Sequence, residues 1–591
     1  MANVEQIVAA ARAALRRGDL LTAKMAAEEA VRVGPKSFEA AAVMGEVLLA
    51  GGRAADAESV LRRAVGLRPA SAEAKLQLGL ALISVRKPAE AEVELRRACA
   101  LKPTLGAAHA ALAKVEHTQK RLDAAIEAAG RAVALDPADQ RSLVFLGGCL
   151  IDAGRIDEAV STLRKAVAIP EFNPLAVSNL LMALNYQEGD PLAVKAEHER
   201  LMDGILAKMG RLGAAAPPFA NTPEPDRRLT VCFLSPDFHN HVCARFMEPL
   251  IERLDRSRFR VVCYADVGKP DEVTARFKGW ADLWRDVRGG AGWKVAEAAR
   301  ADGIDIMIDC AGHTGANRLD IPAWRAAPVQ CTWLGYPNTT GLRTMDWRIV
   351  DGESDPAGSE AHCTERLLRL ERCAWCYRPP AKTPEPGGSP AAMNGFVTFG
   401  SFNNLSKVTP RVLAAWGEIL RRRPEARLVL KNRWLESRQV SERVLGELTS
   451  AGARPEQVRV LEYTPSAEYL RPYESIDVQL DPFPYNGTTT TCESLWMGVP
   501  VLTVEGTVHA GRVGASLLRA AGMESFVTPS VDAYVARAEQ LASNPGELIG
   551  VRPGLREKMA AGPLRDETGY AVAFGAALRR AWGEWCRDRT R

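Results

Sequence analysis

A step of 34 residues runs through the first third of this chain. Pro35, Pro69, Pro103 and Pro137 are each 34 apart. Ala23, Ala57, Ala91, Ala125 and Ala159 keep the same step, and so do Ala30, Ala64, Ala98, Ala132 and Ala166. Three registers agreeing over four or five units leave few architectures open, because a unit this short cannot bury its apolar face alone and must stack on its copies. Each unit reads as two amphipathic helices. Gly18, Gly52 and Gly154 take equivalent turns between them, the alanines stand where the helices touch, and the prolines end the second helix. The register slips by one at Pro170, and a degenerate sixth unit is expected to continue through Pro174 to about Met209.

The period matches that of the tetratricopeptide repeat, which these units resemble. Stacked repeats make a superhelix whose concave face commonly holds a polypeptide, so a client protein is the expected partner; a spacer or dimerisation arm is the alternative. The repeats stop at Ala214-Ala-Ala-Pro-Pro-Phe-Ala-Asn-Thr-Pro-Glu-Pro225, a linker by composition.

Beyond it the pattern changes to strands alternating with helices: Leu229–Ser235, Phe259–Tyr264, Ile304–Asp309 and Pro328–Trp333, then, after a second linker at residues 378–390, Phe396–Gly400, Arg427–Lys431, Val458–Leu461, Ile476–Leu480 and Val499–Val504. Such alternation predicts βαβ units and parallel, Rossmann-like sheets, whose ligands sit beyond the carboxyl ends of the strands. Several strand ends are polar. The first leads into Pro236-Asp-Phe-His-Asn-His241 and the third into Cys310-Ala-Gly-His-Thr-Gly315. Asp237, His239, His241 and His313 are therefore candidate functional groups, although a single histidine is commonly just a structural hydrogen-bonding group. The glycine- and threonine-rich turn Leu334–Gly341 offers a backbone that a ligand can approach closely, at Gly335.

The strand Ile476–Leu480 leads into Asp481-Pro-Phe-Pro-Tyr-Asn-Gly-Thr-Thr-Thr-Thr-Cys-Glu-Ser-Leu-Trp-Met-Gly498. Prolines and Gly487 make a turn, four threonines follow, and a short helix ends at Gly498. The amino end of that helix suits a phosphate, with Thr488, Thr489, Thr490 and Thr491 adding neutral donors. Glu493, one turn in, is placed to accept hydrogen bonds from a ribose. A threonine-capped helix that binds nothing is the plainer alternative. Lys407, between a strand and a helix, is placed to meet a phosphate, and His509 and Arg512 to line the cleft.

Composition narrows the function classes. With 47% hydrophobic and 25% charged residues and a net charge of +4 over 591 residues, nothing points to nucleic acid or to a polybasic membrane contact. No run is long enough to span a membrane, the opening Met-Ala-Asn-Val-Glu-Gln lacks the basic and apolar regions of a signal peptide, and the 12 cysteines are scattered, so a cytoplasmic chain with reduced thiols is expected. No metal site is expected: His362, Cys363, Cys373 and Cys376 lack a second paired motif, and no Asp-x-Asp follows a strand.

Two Rossmann-like domains and a closing helix behind tetratricopeptide repeats resemble the O-GlcNAc transferase (SPINDLY-type) family in its bacterial branch, a GT-B glycosyltransferase. The resemblance is carried by Ser235-Pro-Asp-Phe-His-Asn-His241, Gly312-His-Thr314, Pro328-Val-Gln330, Trp333-Leu-Gly-Tyr-Pro337, Phe402-Asn-Asn-Leu-Ser-Lys407 and Asp481–Thr491. It implies repeats over 1–210, a linker over 211–228, a first Rossmann-like domain over 229–380, a linker over 381–394, a nucleotide-sugar-binding domain over 395–565 and a closing helix over 566–591. It also implies a metal-independent protein O-glycosyltransferase with no cofactor beyond a nucleotide-sugar co-substrate, UDP-linked and GlcNAc-like by family precedent.

Family roles carry over to Asp237 and His241 at the catalytic centre, to Lys407 at the nucleotide diphosphate, to Gly487, Thr489 and Thr490 at the pyrophosphate and to Glu493 at the ribose. Asn404, His313, Gly335 and Arg512 are expected to line the same nucleotide-sugar site. Which of His241 and Asp237 is the base stays open. Thr488 replaces a histidine of the animal enzymes, Tyr469 stands at a base-stacking histidine, and Arg245 stands where a second histidine of the first motif is common; these leave donor sugar and base open. The alternatives are a flagellin or adhesin glycosyltransferase using another nucleotide sugar, nonulosonic acid donors included, and a repeat scaffold with an inactive transferase domain. The oligomeric state, a homo-oligomer included, is also open.

Overall fold

The computed structural model describes residues 3–215, 217–462 and 468–590; Ala216, in the first linker, lies outside them. The described chain forms two compact units, residues 1–171 with 436–440 and residues 172–435 with 441–591.

In the first unit ten helices, from Val4–Arg16 to Ile156–Ala168, pair as five hairpins. The repeated alanines sit at the contacts: Ala23, Ala57, Ala91, Ala125 and Ala159 are wholly buried. Gly45, Gly79 and Gly147 share the same step, and a Cβ on each would meet Leu61, Leu95 and Leu163 at 2.4–2.6 Å. Only a residue without a side chain lets those leucines in. The second helices stop at Val33, Leu67, Leu101 and Leu135, two residues short of the periodic prolines. A proline disfavours helical backbone in the residue before it, so the chain turns there.

Two finer regularities follow the same step. Ser37, Ser71 and Asp139 each cap a first helix with their side chain, whereas Leu105, at the equivalent position, cannot. The inter-helix turn is left-handed in each of the five hairpins, at Gly18, Gly52 and Gly154 but also at Arg86 (φ 63°) and Lys120 (φ 62°). The repeat demands that geometry whether or not glycine is present.

The second unit opens with the helices Pro174–Leu184 and Pro191–Lys208, residues read from sequence as the sixth repeat. Two parallel sheets follow. The first contains β1 (Leu229–Ser235), β2 (Phe259–Ala265), β3 (Leu283–Asp286), β4 (Ile306–Asp309), β5 (Val329–Thr332), β6 (Trp347–Asp351) and β7 (Arg366–Leu370), in the order 3-2-1-4-5-6-7. The second contains β8 (Thr398–Ser401), β9 (Arg427–Lys431), β10 (Val458–Leu461), β11 (Val478–Leu480), β12 (Val501–Val504) and β13 (Val527–Thr528), in the order 10-9-8-11-12-13. Each order reverses beside its first strand, β1 against β4 and β8 against β11, and the crevice of an open parallel sheet lies at that switch. The polar loops after β1, β8 and β11 therefore converge where a ligand would bind. The helix Glu567–Thr590 closes back on the first sheet: Trp582 donates its indole N–H to the Glu224 carbonyl, and Arg579 donates to the carbonyls of Pro225, Arg227 and Arg258. No described helix is long and apolar enough to cross a membrane.

Candidate active site

The helix Thr489–Trp496 begins within the threonine run and not after it, so three of the four threonines lie in its first turn. Thr488 precedes it, and no side chain caps it. Its first N–H groups, left open, face the turn made by Gly487. That turn is tied from beneath. Asp481, wholly buried, accepts the Gly487 N–H at 2.7 Å and the Thr503 hydroxyl at 2.7 Å. A Cβ at Gly487 would meet Thr490 Oγ1, Asn403 Oδ1 and Asp481 Oδ1 at 2.4–3.0 Å, so glycine is required for closeness here.

Lys407 leans over the same turn. Its ammonium donates to the Asn486 carbonyl at 2.7 Å and lies 3.9 Å from the centre of the Tyr485 ring. Burial lowers its pKa to about 8, against the pull of Asp481; burial raises Asp481 itself to about 7. Each charge opposes part of the cost of burying the other. Tyr485 stacks in turn on Tyr186, with ring centres 5.3 Å apart and planes 17° from parallel. The connection after the helix Pro174–Leu184 therefore reaches the loop that holds Lys407.

Glu493 is 8% exposed, and burial raises its carboxyl to about 7. Tyr469 donates its hydroxyl to it at 2.8 Å, and Tyr473 stands 3.5 Å away. Tyr469 is thus beside Glu493. The positive charge of Arg245, from the first sheet's side of the crevice, acts on the same carboxyl.

Across the crevice, Asp237 Oδ1 and His241 Nδ1 are 3.4 Å apart. Burial pushes Asp237 above the ordinary aspartate value and His241 below the ordinary histidine value, each opposed by the other's charge. The Cys243 N–H donates to His241 Nδ1 at 3.3 Å, which leaves Nε2 to carry the proton of a neutral ring. Ser235 Oγ accepts the Asp237 N–H at 3.0 Å, and Asp271 accepts the Asn240 N–H at 2.8 Å, so the loop is pinned at both ends.

Five expected contributors are placed otherwise. His313 is buried, with Nδ1 3.1 Å from the Ser178 hydroxyl and Nε2 donating to the Thr340 carbonyl at 2.8 Å; burial pushes its pKa down to about 3. It edges an apolar cavity of about 460 Å³ lined by Met202, Trp293 and Trp324 among others. A strand-end position made it a candidate; its partners make it a structural hydrogen-bonding group. Gly335 is needed for close approach, but to the protein itself: a Cβ there would lie 2.3 Å from the Cys310 carbonyl oxygen. Arg512 spends its donors on Glu505, on the Gly506 carbonyl and on the Glu353 carbonyl, joining the two sheets' domains. His509 does the same through Asp355 at 2.5 Å. Asn404 is exposed; the inward residue is its neighbour Asn403, 3% exposed, whose Oδ1 accepts the Thr490 hydroxyl at 2.8 Å and whose buried Nδ2 has no protein partner.

Asp481, Asn403 and Tyr186 were thus missed as site builders. Asp481 heads the motif and Asn403 sits inside another, so both were within reach; nothing in the sequence signals Tyr186. His362, Cys363, Cys373 and Cys376 do not converge, and the one metal-competent cluster found among the described residues is Asp237, His241 and Cys243. Asp305 is held by Arg227 and Asn221, and Asp309 by two backbone N–H groups and Thr332.

Comparison with known proteins agrees with this arrangement. Residues 180–375 and 391–574 match the model of glycosyl transferase family 41, and residues 8–73, 42–109, 76–139 and 116–181 match tetratricopeptide repeat models. The chain is 42% identical over 374 residues, 62% of its length, to the probable UDP-N-acetylglucosamine–peptide N-acetylglucosaminyltransferase SPINDLY of Solanum lycopersicum, and 23% identical over 474 residues to the UDP-N-acetylglucosamine–peptide N-acetylglucosaminyltransferase of Caenorhabditis elegans. These alignments span 40% and 41% of those two proteins, so the chain covers about two fifths of the curated relatives it matches. A solved mutant of the O-GlcNAc transferase of Thermobaculum terrenum superposes with a TM-score of 0.80 at 34% identity, covering 88% of this chain and 98% of that one. A GT-B pair of parallel sheets behind tetratricopeptide repeats, with a family match over most of both sheets, makes this chain a member of glycosyl transferase family 41.

Proposed function

We propose that this chain is a protein O-glycosyltransferase, moving a sugar from a nucleotide-sugar donor to a serine or threonine hydroxyl of a client protein. The observation that carries the reading is Lys407 fixed over an uncapped helix end beside the Gly487 turn. In the reaction the acceptor oxygen bonds to the anomeric carbon as the bond from that carbon to the diphosphate breaks. Negative charge gathers on the leaving diphosphate, where Lys407, the open N–H groups, the Thr488 and Thr489 hydroxyls and the buried Asn403 amide can meet it. Donors already in place at developing charge lower a barrier most, since nothing must reorganise. Glu493 with Tyr469 would hold the ribose and base. Asp237 and His241, on the opposite wall, would orient the acceptor and receive its proton.

The charge on the diphosphate is met by protein groups, so no divalent metal is required in this scheme. A GlcNAc-like, UDP-linked donor follows the names of the relatives. Thr488 and Tyr469, at positions where the animal enzymes have histidine, leave a different nucleotide sugar, as in a flagellin or adhesin transferase, as the alternative. The repeats would hold the client and keep its hydroxyls near the crevice.

Purified full-length protein, titrated by calorimetry with a panel of UDP- and CMP-sugars and assayed for their hydrolysis, tests the reading. Binding and turnover of one donor in EDTA are expected. Binding without turnover, with or without client, would favour the scaffold reading; activity lost in EDTA and restored by manganese would overturn metal independence.

A further inference from the structure

Asp237, His241 and Cys243 stand on seven consecutive residues, yet their ligand atoms come within 4.8 Å of one another. The Asp237 Oδ1 to His241 Nδ1 distance of 3.4 Å is long for a hydrogen bond. It is close to the edge of a tetrahedral zinc site, where bonds of about 2.0–2.2 Å put neighbouring O and N ligands about 3.3–3.5 Å apart, and a metal there takes the Nδ1 lone pair from the Cys243 N–H that it accepts at 3.3 Å. Carboxylate, imidazole and thiol together are the donor set that zinc takes, and three protein ligands with an open fourth position are the pattern of accessible sites. The position is accessible here: the His241 side chain is 38% exposed and Cys243 is half-buried. Cys243 also stands at the N-cap of the helix Ala244–Arg253 with no side-chain cap, where the helix end favours a thiolate. Burial and the Asp237 charge keep that thiol protonated. A divalent cation would displace the proton to solvent and neutralise both acidic ligands at once.

We propose that Asp237, His241 and Cys243 form a zinc site whose occupation silences the transferase. This rests on the reading of Asp237 and His241 as the acceptor-side pair: a metal bound through both removes the groups that would orient the hydroxyl and take its proton. The metal takes no part in the reaction, so Cys243 is dispensable for transfer while it is essential for tight metal binding.

The test uses full-length protein stripped of metal, with Co²⁺ as a spectroscopic probe and Zn²⁺ as the inhibitor. Co²⁺ should give near-ultraviolet thiolate charge transfer and the visible bands of a tetrahedral site, and one equivalent of Zn²⁺ should erase both. Cys243→Ser, and Cys243→Ala as a second variant, should lose the charge-transfer band, keep basal transfer, and raise the zinc concentration for half-inhibition at least tenfold. The cobalt spectrum needs neither donor nor acceptor, so it decides the metal site even if the metal-free protein proves inactive, an outcome that would instead defeat the transferase reading. Absence of the charge-transfer band in the wild-type protein, its persistence in both Cys243 variants, or equal zinc inhibition of wild type and variants would overturn the proposal.

Discussion

In the repeats the residues at zero exposure are small or aliphatic, such as Ala57, Leu61, Ala91 and Leu95. In the α/β unit the same burial is reached by Asp305, Asp481, Asn486, Gln330 and Thr503. The few charges buried among the repeats are paired within them: Glu116 is held by Arg96 and Arg121, and Lys75 by Glu94. Several of those around the crevice hold turns and strand ends instead, as Asp481 holds Gly487 and Thr503 and Asp477 holds Ser389, Ala391 and Thr398. Burying charge is costly unless it is satisfied, and polar networks fix geometry where apolar contacts only fix proximity. One half of the chain is built to repeat a shape; the other is built to hold a few atoms in place.

The contrast is sharpest at Lys407. Lys407→Ala should lower transfer a hundredfold or more, about 3 kcal/mol in the barrier, while leaving the circular dichroism unchanged. Near-normal turnover by a folded variant would remove Lys407 from the site.

Removing residues 1 to about 140 attacks the other half. Donor affinity by calorimetry should hardly move, because every donor group assigned lies beyond residue 400, while transfer to intact client, read by mass shift, should fall roughly tenfold or more as effective concentration is lost. Undiminished glycosylation of the client would make the repeats a structural or dimerising element.

Tyr186 blurs the division, since it precedes the first linker yet stacks on Tyr485 under Lys407. Tyr186→Ala should reduce kcat about tenfold with little change in donor affinity, and Tyr186→Phe should restore it, as the ring and not the hydroxyl makes the stack. A change in donor affinity alone would show that the stack shapes binding instead of chemistry.

Glu493 supplies a pH signature that the repeats cannot. Its carboxyl ionises near 7 in the folded chain, against an ordinary 4.5. Only the carboxylate accepts two ribose hydrogen bonds, so donor affinity should rise severalfold between about pH 6 and 8, and Glu493→Gln should remove most of that slope. For stability the sign reverses. The folded chain keeps a proton that the unfolded chain has lost, so the stability this group lends at low pH fades as pH rises toward 7. A donor-affinity profile equally steep in Glu493→Gln would place the titration elsewhere.

The smallest effect belongs to the repeat turns. Arg86→Gly and Lys120→Gly relieve a left-handed residue and should each stabilise their hairpin by up to about 1 kcal/mol. Hydrogen exchange of the flanking helices Ala72–Ser84 and Pro88–Leu101 should slow in Arg86→Gly. Faster exchange would mean that the arginine side chain contributes more than its backbone costs.

Much of this was legible in the residues. The 34-residue step located the alanine contacts, the proline ends and three of the five left-handed turns. The other two were hidden because Arg86 and Lys120 carry no conformational signature; the geometry is imposed by the packed hairpin. Strands were legible where apolar runs were continuous, as in β1 and β4, and missed where they were short or carried charge. β6 holds a buried arginine, Arg348, β7 carries arginine at two of its five positions, and β13 has two residues.

By itself the sequence determined the two architectures, the polar loops at the strand ends and the motif from Asp481 to Gly498, because these depend on neighbours in the chain and on periodicity. Only the tertiary structure decided which polar residue faces the crevice. His241 and His313 both follow strands; one meets Asp237 four residues away, while the other meets Ser178, 135 residues away, and is buried by it. Arg512 and His509 follow a strand of the second sheet and are spent on the first sheet's domain. A side chain's chemistry is fixed by its identity, but its protonation, its partners and its access to a ligand are set by groups that only folding brings near.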